Sequence, residues 1–453
     1  MIALARLVPT SGELREMARI AAPIVVVNLG LMLQGTIDTV MLGRVSSEAL
    51  AAGAVGSLYF FSIIIFGIGL LMSLDPVVAQ ALGARDDEAM RRGVQRGVIL
   101  AVLSAIFAAL LLWPAERMLT LLEQPEAIIP DAAAYVRWSI VGLLPFQLFN
   151  AFRQTLQAMH RVLPMASAVV LANLLNVFLN WVFIYGNLGA PAMGVVGAAH
   201  ATWITRWVMV ALILWFAWRD LGPALRPWRR ESFEFKPLAR MIAIGAPVGL
   251  QLSAEGIAFG FTGIMMGWLG TVTLAGHQVT LSIVSLTFMV PMGVAGAGAV
   301  MVGRAVGAGD MDAARRDAVA ALVCGVGFMM LTATLFMTMP GALARLYTPD
   351  GATIAMVLLL LPVAGVFQVF DGMQVVSAAL LRGIGDTRVP MVLHLLSFWA
   401  VGIPLGAFLS FTMGWGATGL WWGLTAGLAS AGVLQLARVR SRLSRDIRRL
   451  HVD

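Results

Sequence analysis

Three carboxylates stand where water is scarce. Asp38, Glu255 and Asp371 each lie inside a long apolar run, and a fourth, Asp75, is followed at once by Pro76. An ionised side chain at mid-membrane depth costs on the order of 3 kcal/mol or more, so such residues are expected to hold an ion or a proton. The alternative is a side chain near a helix end that reaches interfacial water, and Asp75, close to Arg85, suits it best. The other three have polar company. Asp38 sits in Gln34-Gly35-Thr36-Ile37-Asp38-Thr39, Gln251 and Ser253 precede Glu255, and Gln368 and Gln374 flank Asp371. Polar residues at helical spacing predict inward-facing, hydrated strips.

The chemistry such strips support is cation binding. Asn173, Asn176 and Asn180 recur at intervals of three and four, which puts them on one helix face. Their amide oxygens, with the Asp38 carboxylate, are suited to a hard cation; the other reading is a hydrogen-bond ladder between helices. Two neighbouring carboxylates share a proton because like charges repel. A bound Na+ removes that repulsion if oxygens such as those of Gln251, Ser253 or Gln368 complete its shell. Na+ at Glu255 and Asp371 is therefore the preferred coupling ion, with H+ as its competitor.

These residues need helices long enough to cross lipid. The chain has 453 residues, 59% hydrophobic and only 12% charged. Soluble domains carry about 25% charged residues, and a spanning helix needs about 20 apolar ones. The expected fold is an all-α membrane protein with twelve helices, at 17–43, 49–79, 94–113, 136–158, 164–186, 193–217, 238–268, 274–303, 317–340, 353–380, 389–411 and 415–437. Prolines such as Pro23, Pro145, Pro247, Pro291 and Pro362 interrupt these runs, which membrane helices tolerate. Lys and Arg collect in the gaps 85–96, 219–240, 304–316 and 438–449. The alternate gaps hold only Arg44, Arg117, Arg137 and Arg345 of the 31 basic residues. This asymmetry predicts cytoplasmic termini. It also gives the net charge of +7 a membrane explanation in place of nucleic-acid binding. Residues 1–16 show no apolar core with a small-residue cleavage site, so no cleaved leader is expected.

The two halves repeat. MARIAAP (17–23) returns as MIAIGAP (241–247), 224 positions later. Gly83-Ala84-Arg85-Asp86 matches Gly307-Ala308-Gly309-Asp310, Arg91-Arg92 matches Arg315-Arg316, and Pro125-Glu126 matches Pro349-Asp350 at that same offset. FQLFN (146–150) resembles FQVFD (367–371) after a slip of three, so Asp371 has the neutral counterpart Asn150. Six helices per repeat predict two parallel, pseudo-symmetric bundles with a cavity between them. The expected organisation is an N-lobe at 1–218, a linker at 219–237, a C-lobe at 238–437 and a basic tail at 438–453.

Other chemistries lack support. Gly383-Ile384-Gly385-Asp386 fits the GxGD pattern of intramembrane aspartyl proteases, but no Tyr-Asp partner exists, and a turn at a cytoplasmic helix end is expected. No HExxH, Walker loop or GxSxG occurs, so neither a zinc hydrolase nor an ATP-driven pump is indicated. The five histidines show no metal-ligand spacing. The lone Cys324 forms no internal disulfide, and the 26 methionines suit helix packing or an adaptable cavity. No enzyme activity and no cofactor are expected.

Several segments, in order, resemble the multidrug and toxic compound extrusion (MATE) family over essentially the whole chain: PVVAQALGA (76–84), FRQTLQAMHRVLPM (152–165), LNVFLNWVFIYGNLGAPAMGVVGAAHAT (175–202), LAGHQV (274–279) and LRGIGDTRVPM (381–391). Carboxylates at both Glu255 and Asp371 look like the NorM branch. The resemblance implies a C-lobe cation site around Glu255 and Asp371 with an aromatic facing the ion, for which Phe288 is the candidate. It implies an N-lobe site in which Asp38 matches the first-helix carboxylate and Asn176 with Asn180 the fifth-helix polar pair. DinF-like members carry Asp where this chain has Asn180, which removes a charge. Gln34 and Gln278 are further candidates. The implied function is an Na+- or H+-coupled, monomeric antiporter in the bacterial inner membrane, exporting amphipathic organic cations, dyes and fluoroquinolones. The alternative is a lipid-linked oligosaccharide flippase of the same superfamily, which mid-span Arg206 favours.

Overall fold

The computed structural model describes residues 9–452, so the first eight residues of the 1–16 segment, where no cleaved leader is expected, and the last residue of the basic tail lie outside the described residues. The described chain is helical, with no strand among those residues. In order it forms α1 (Ser11–Gly43), α2 (Ser47–Leu71), α3 (Leu74–Gly83), α4 (Asp87–Leu112), α5 (Ala115–Leu121), α6 (Ile129–Val141), α7 (Leu143–Ala158), α8 (Leu163–Tyr185) and α9 (Gly194–Leu225). There follow α10 (Phe235–Trp268), α11 (Thr271–Ala308), α12 (Met311–Thr338), α13 (Pro340–Tyr347), α14 (Gly351–Gly383), α15 (Arg388–Leu396), α16 (Ile403–Ala407) and α17 (Ala417–Leu443). The π-helical stretch Ser397–Gly402 joins α15 to α16, and a second, Phe408–Thr412, extends α16, so that Arg388–Thr412 forms one span.

Eleven helical segments among the described residues are long and apolar enough to cross a membrane, and the bent pair α6–α7 makes a twelfth. That pair turns through 51° at Gly142, just before Pro145, where the ring cannot continue the hydrogen-bond ladder. Part of the basic stretch after the sixth span is itself helical: α9 continues through Pro223 to Leu225, and a 3₁₀ turn at Arg230–Phe233 leads into α10.

Helix ends follow local chemistry. Thr10 and Glu13 form a reciprocal capping box at the start of α1. Asp86 caps α4 by accepting from the Ala89 N–H at 3.0 Å, and Asp310 caps α12 by accepting from the Ala313 N–H at 2.8 Å. These two caps are repeat partners. So are the residues before them, Arg85 (φ 55°) and Gly309 (φ 76°), which share the left-handed turn. Asp350 caps α14 through the Thr353 N–H and hydroxyl, and those hydrogen bonds hold its carboxyl below the usual carboxylate range.

Contacts divide the chain into two units. The Asp38 unit comprises Val26–Val78, Asp86–Gly249 and Val452–Asp453; the Glu255 unit comprises Met1–Val25, Ala79–Arg85 and Leu250–His451. Each unit includes the start of the other half's first helix, and the Glu255 unit also takes Ala79–Arg85. In the Asp38 unit, α10 lies so close to α2 that a Cβ on Gly69 would sit 2.4 Å from the Gly249 Cα, and one on Gly245 2.1 Å from the Leu70 carbonyl oxygen. In the Glu255 unit the repeat-equivalent residues meet: a Cβ on Gly293 would fall 3.1 Å from the Val25 nitrogen and 3.2 Å from the Ala21 oxygen. Glycine permits these backbone approaches where any side chain would collide. The same unit holds a reciprocal pair, Gly83 against the Arg304 carbonyl and Gly307 against the Gln80 carbonyl. The internal repeat is thus written into packing as well as into sequence.

Candidate functional site

In the Asp38 unit, α1, α8 and α9 converge on one carboxylate. Asp38 is buried, and each of its oxygens has its own donor: Asn180 Nδ2 at 2.6 Å to Oδ1 and Thr202 Oγ1 at 2.9 Å to Oδ2. The Asn180 amide also donates to Asn176 Oδ1 at 3.2 Å. Asn176 and Asn180 are fully buried, and the Asn176 amide nitrogen and Asn180 carbonyl oxygen have no hydrogen-bond partner. Asn173, on the same helix, does not join them: its amide donates to the Gly30 carbonyl at 2.8 Å and ties α8 to α1. Gln34, one turn before Asp38, is buried with an unpartnered amide nitrogen.

Arg206 supplies the positive charge of this region. It lies one turn beyond Thr202 on α9, buried, with its guanidinium 4.8 Å from the ring centres of both Phe60 and Phe146. Stacking between two π faces attracts a cation without neutralising it. Its Nε and Nη1 have no hydrogen-bond partner. The sequence does not single out Thr202, Phe60 or Phe146, because their partners Asp38 and Arg206 lie on other helices, far away along the chain. Asp75 is fully buried in the first turn of α3 rather than at an exposed end.

The Glu255 unit is built differently. Gln251 and Glu255 lie one turn apart on α10; Gln368, Asp371 and Gln374 follow at intervals of three on α14. Asp371 is buried and Glu255 is 19% exposed. Among the described residues no Lys or Arg pairs with either; the charged-group contact of Glu255 is to His394, with Oε2 3.5 Å from Nε2. Gln368 is fully buried, donating from Nε2 to Thr287 Oγ1 at 2.6 Å while its Oε1 has no partner. Ser253 is half-buried, and Gln278 is exposed.

Aromatic rings cluster one helical turn from these carboxylates. Phe259, one turn after Glu255, packs edge-on to Phe367 at 6.2 Å and tilted to Phe398 at 6.1 Å, and Phe367 meets Trp421 at 5.5 Å. Phe288 is half-buried beside Thr287 on α11, outside those ring contacts. Phe259 and Phe367 were recoverable from spacing, since each lies four residues from a carboxylate on the same helix.

The protease-like motif is a turn. Gly385 takes φ 82°, and the Asp386 carboxylate accepts from Arg438 Nε at 2.9 Å. Among the described residues no group of three or more His, Cys, Asp or Glu side chains is gathered as a metal site would require.

Comparison with known proteins places this architecture. The MatE family model matches residues 23–182 and 247–408. The multidrug resistance protein NorM of Burkholderia vietnamiensis is 36% identical over 443 residues, covering 95% of this chain and 94% of its own length. The multidrug resistance protein MdtK of Edwardsiella ictaluri is 31% identical over 438 residues, covering 94% and 95%. Among solved structures, a eukaryotic MATE transporter superposes with a TM-score of 0.85 at 21% identity, over 95% of this chain and 99% of its own. A Vibrio cholerae MATE transporter, VcmN, gives 0.87 at 20% identity, over 96% and 98%. Two matched half-chains, two pseudo-symmetric sets of helices and near-complete relatives agree: the chain belongs to the MATE family and resembles its NorM members.

Proposed function

We propose that this chain is a cation-coupled multidrug exporter of the bacterial inner membrane, with both termini cytoplasmic, that works as a monomer by alternating access. The observation that carries the reading is the Glu255–Asp371 pair: two carboxylates on spanning helices with no Lys or Arg beside them among the described residues. Leaving both carboxylates of such a pair bare is costly, so a mobile cation or a proton is favoured there. An amphipathic organic cation and a coupling ion both meet that need, and their competition supplies the differential affinity that drives a conformational change. The relatives' names, multidrug resistance proteins, support the substrate class. The absence of any nucleotide-binding motif in the sequence leaves an ion gradient as the energy source.

Na+ is the proposed coupling ion. The buried, unpartnered Gln368 Oε1 lies one turn from Asp371 and offers the hard oxygen that Na+ needs beside carboxylates. Expression in a pump-deficient strain should raise tolerance to ethidium-like dyes and fluoroquinolones several-fold. In proteoliposomes an imposed Na+ gradient at clamped pH should drive ethidium efflux, and E255Q and D371N should abolish that dependence. Unchanged tolerance on expression would refute export; efflux driven by a pH gradient and indifferent to Na+ would move the assignment to H+.

A second reading, a lipid-linked oligosaccharide flippase, rests on Arg206, whose unpartnered guanidinium atoms suit a phosphate. One buried arginine there faces a site whose carboxylate, Asp38, would repel that anion. Flippase activity on a lipid-linked sugar, with no dye efflux, would establish it.

A further inference from the structure

Helices α10, α14 and α15 meet at one fully buried imidazole. His394 stacks on Phe398 at 4.6 Å, four residues along its own span. Its Nδ1 lies 3.1 Å from Gln374 Nε2 and 3.5 Å from Gln251 Nε2, while Nε2 faces Glu255 Oε2 at 3.5 Å. An amide nitrogen only donates, so Nδ1 carries the lone pair and the ring proton sits on Nε2, toward the carboxylate. The polar chain therefore runs Gln374 to His394 to Glu255: the Gln374 N–H meets the Nδ1 lone pair, and the Nε2–H points toward the carboxylate without yet bonding to it. At 3.5 Å the last link is longer than a formed N–H···O bond of about 2.9 Å. It is a donor held within a small side-chain movement of its acceptor.

We propose that His394 is a positioning residue for ion coupling: the neutral donor that receives Glu255 whenever the carboxylate is not holding the coupling cation. The inference rests on the reading of Glu255 and Asp371 as the ion site. A lysine or arginine here would pair with Glu255 permanently and shut the cation out. A neutral N–H stabilises the ion-free carboxylate by less, so an arriving cation displaces it. Gln374 fixes the tautomer that makes this work, since with the proton on Nδ1 the ring would present a lone pair to a carboxylate and repel it. The π-helical turn Ser397–Gly402 begins three residues after His394, and such irregular turns recur at functional sites. Capture and release of Glu255 by His394 thus acts on a span whose hydrogen-bond ladder is already irregular.

This role makes an opposite-sign prediction from a packing role. Without the donor, the ion-free state loses stability, so the ion binds more tightly and leaves more slowly. In proteoliposomes, with whichever of Na+ or H+ drives wild-type ethidium efflux, H394L should lower the half-saturating ion concentration about five-fold and also lower the maximal rate. H394Q, which returns a neutral N–H near the Nε2 position, should keep that concentration within about two-fold of wild type. Q374L should shift it in the H394L direction, and this arm carries the test if H394L fails to reach the membrane. A half-saturating concentration unchanged or raised in H394L or Q374L, or equal effects of H394L and H394Q, would overturn the proposal. E255Q separates the two levels. If E255Q stays fully ion-coupled, the ion-site reading itself fails; if E255Q is uncoupled while H394L and Q374L leave the ion dependence unmoved, only the His394 proposal fails.

Discussion

The Asp38 site and the Glu255 site occupy opposite halves of an internal repeat, yet they solve the problem of a buried carboxylate in different ways. Asp38 is a single charge whose two oxygens are each met by a neutral donor at 2.9 Å or less. Those donors come from α8 and α9 and are themselves buried, so the carboxylate is locked in place by the fold. Glu255 and Asp371 are two charges on two helices, served by one distant imidazole and no basic side chain among the described residues. A carboxylate saturated with donors has little left to offer an incoming ion, whereas an undersatisfied pair draws one. Under the proposed function the Glu255–Asp371 pair holds the coupling ion, while Asp38, already met by its own donors, serves export without setting the ion dependence. The repeat supplied equal scaffolds; the exchange of Asn150 for Asp371 at matched positions placed the second charge in one of them.

The comparison breaks most sharply at Asp38. D38N is isosteric but removes the charge, and its amide nitrogen no longer accepts: facing Asn180 it meets another donor, and facing Thr202 it forces the hydroxyl to reverse its bond. Dye efflux should fall by about ten-fold or more, corresponding to about 1.4 kcal/mol or more, at unchanged membrane abundance measured by quantitative blotting. Wild-type efflux would reduce Asp38 to a packing residue. A smaller loss is expected from T202V, which removes one of the two donors while leaving Asn180 in place. One neutral hydrogen bond is worth about 1 kcal/mol, so efflux should drop about three- to five-fold, with ion dependence set by Glu255 and Asp371 unaltered. A change in half-saturating ion concentration in T202V would mean that the two sites do not divide the work as described. The smallest effect belongs to Gln278, which the structure leaves exposed. Q278A should change efflux by less than about 1.5-fold, since exposed positions away from special features rarely matter. A loss comparable to T202V would return it to the ion pathway.

Much of this architecture is legible in the chain. Hydropathy alone locates the spanning segments, because lipid forces every backbone polar group into a helix. The 224-residue offset anticipates features of local structure: matched N-caps at Asp86 and Asp310, matched left-handed turns at Arg85 and Gly309, and the matched prolines Pro23 and Pro247 inside α1 and α10. The buried acids were legible for the same reason, as a charge in an apolar run has no other place to hide. Partners were not. Thr202 lies 164 residues from Asp38, and His394 lies 139 residues from Glu255, so no local spacing links either donor to its carboxylate. Nor did spacing reveal that Asn173 turns away to the Gly30 carbonyl while Asn176 and Asn180 stay together.

By itself, then, the sequence determined the class of the protein, its number of spans, its twofold internal design and the identity of its costly charges. These follow from solvation and from helix periodicity, both local properties that a linear pattern carries. Only the tertiary structure decided which neutral groups answer those charges, which unit the starts of α1 and α10 join, and which nitrogen of His394 faces Glu255. Those outcomes depend on directional hydrogen bonds and on backbone approach at glycine, at separations where a difference of half an ångström decides whether two groups bond.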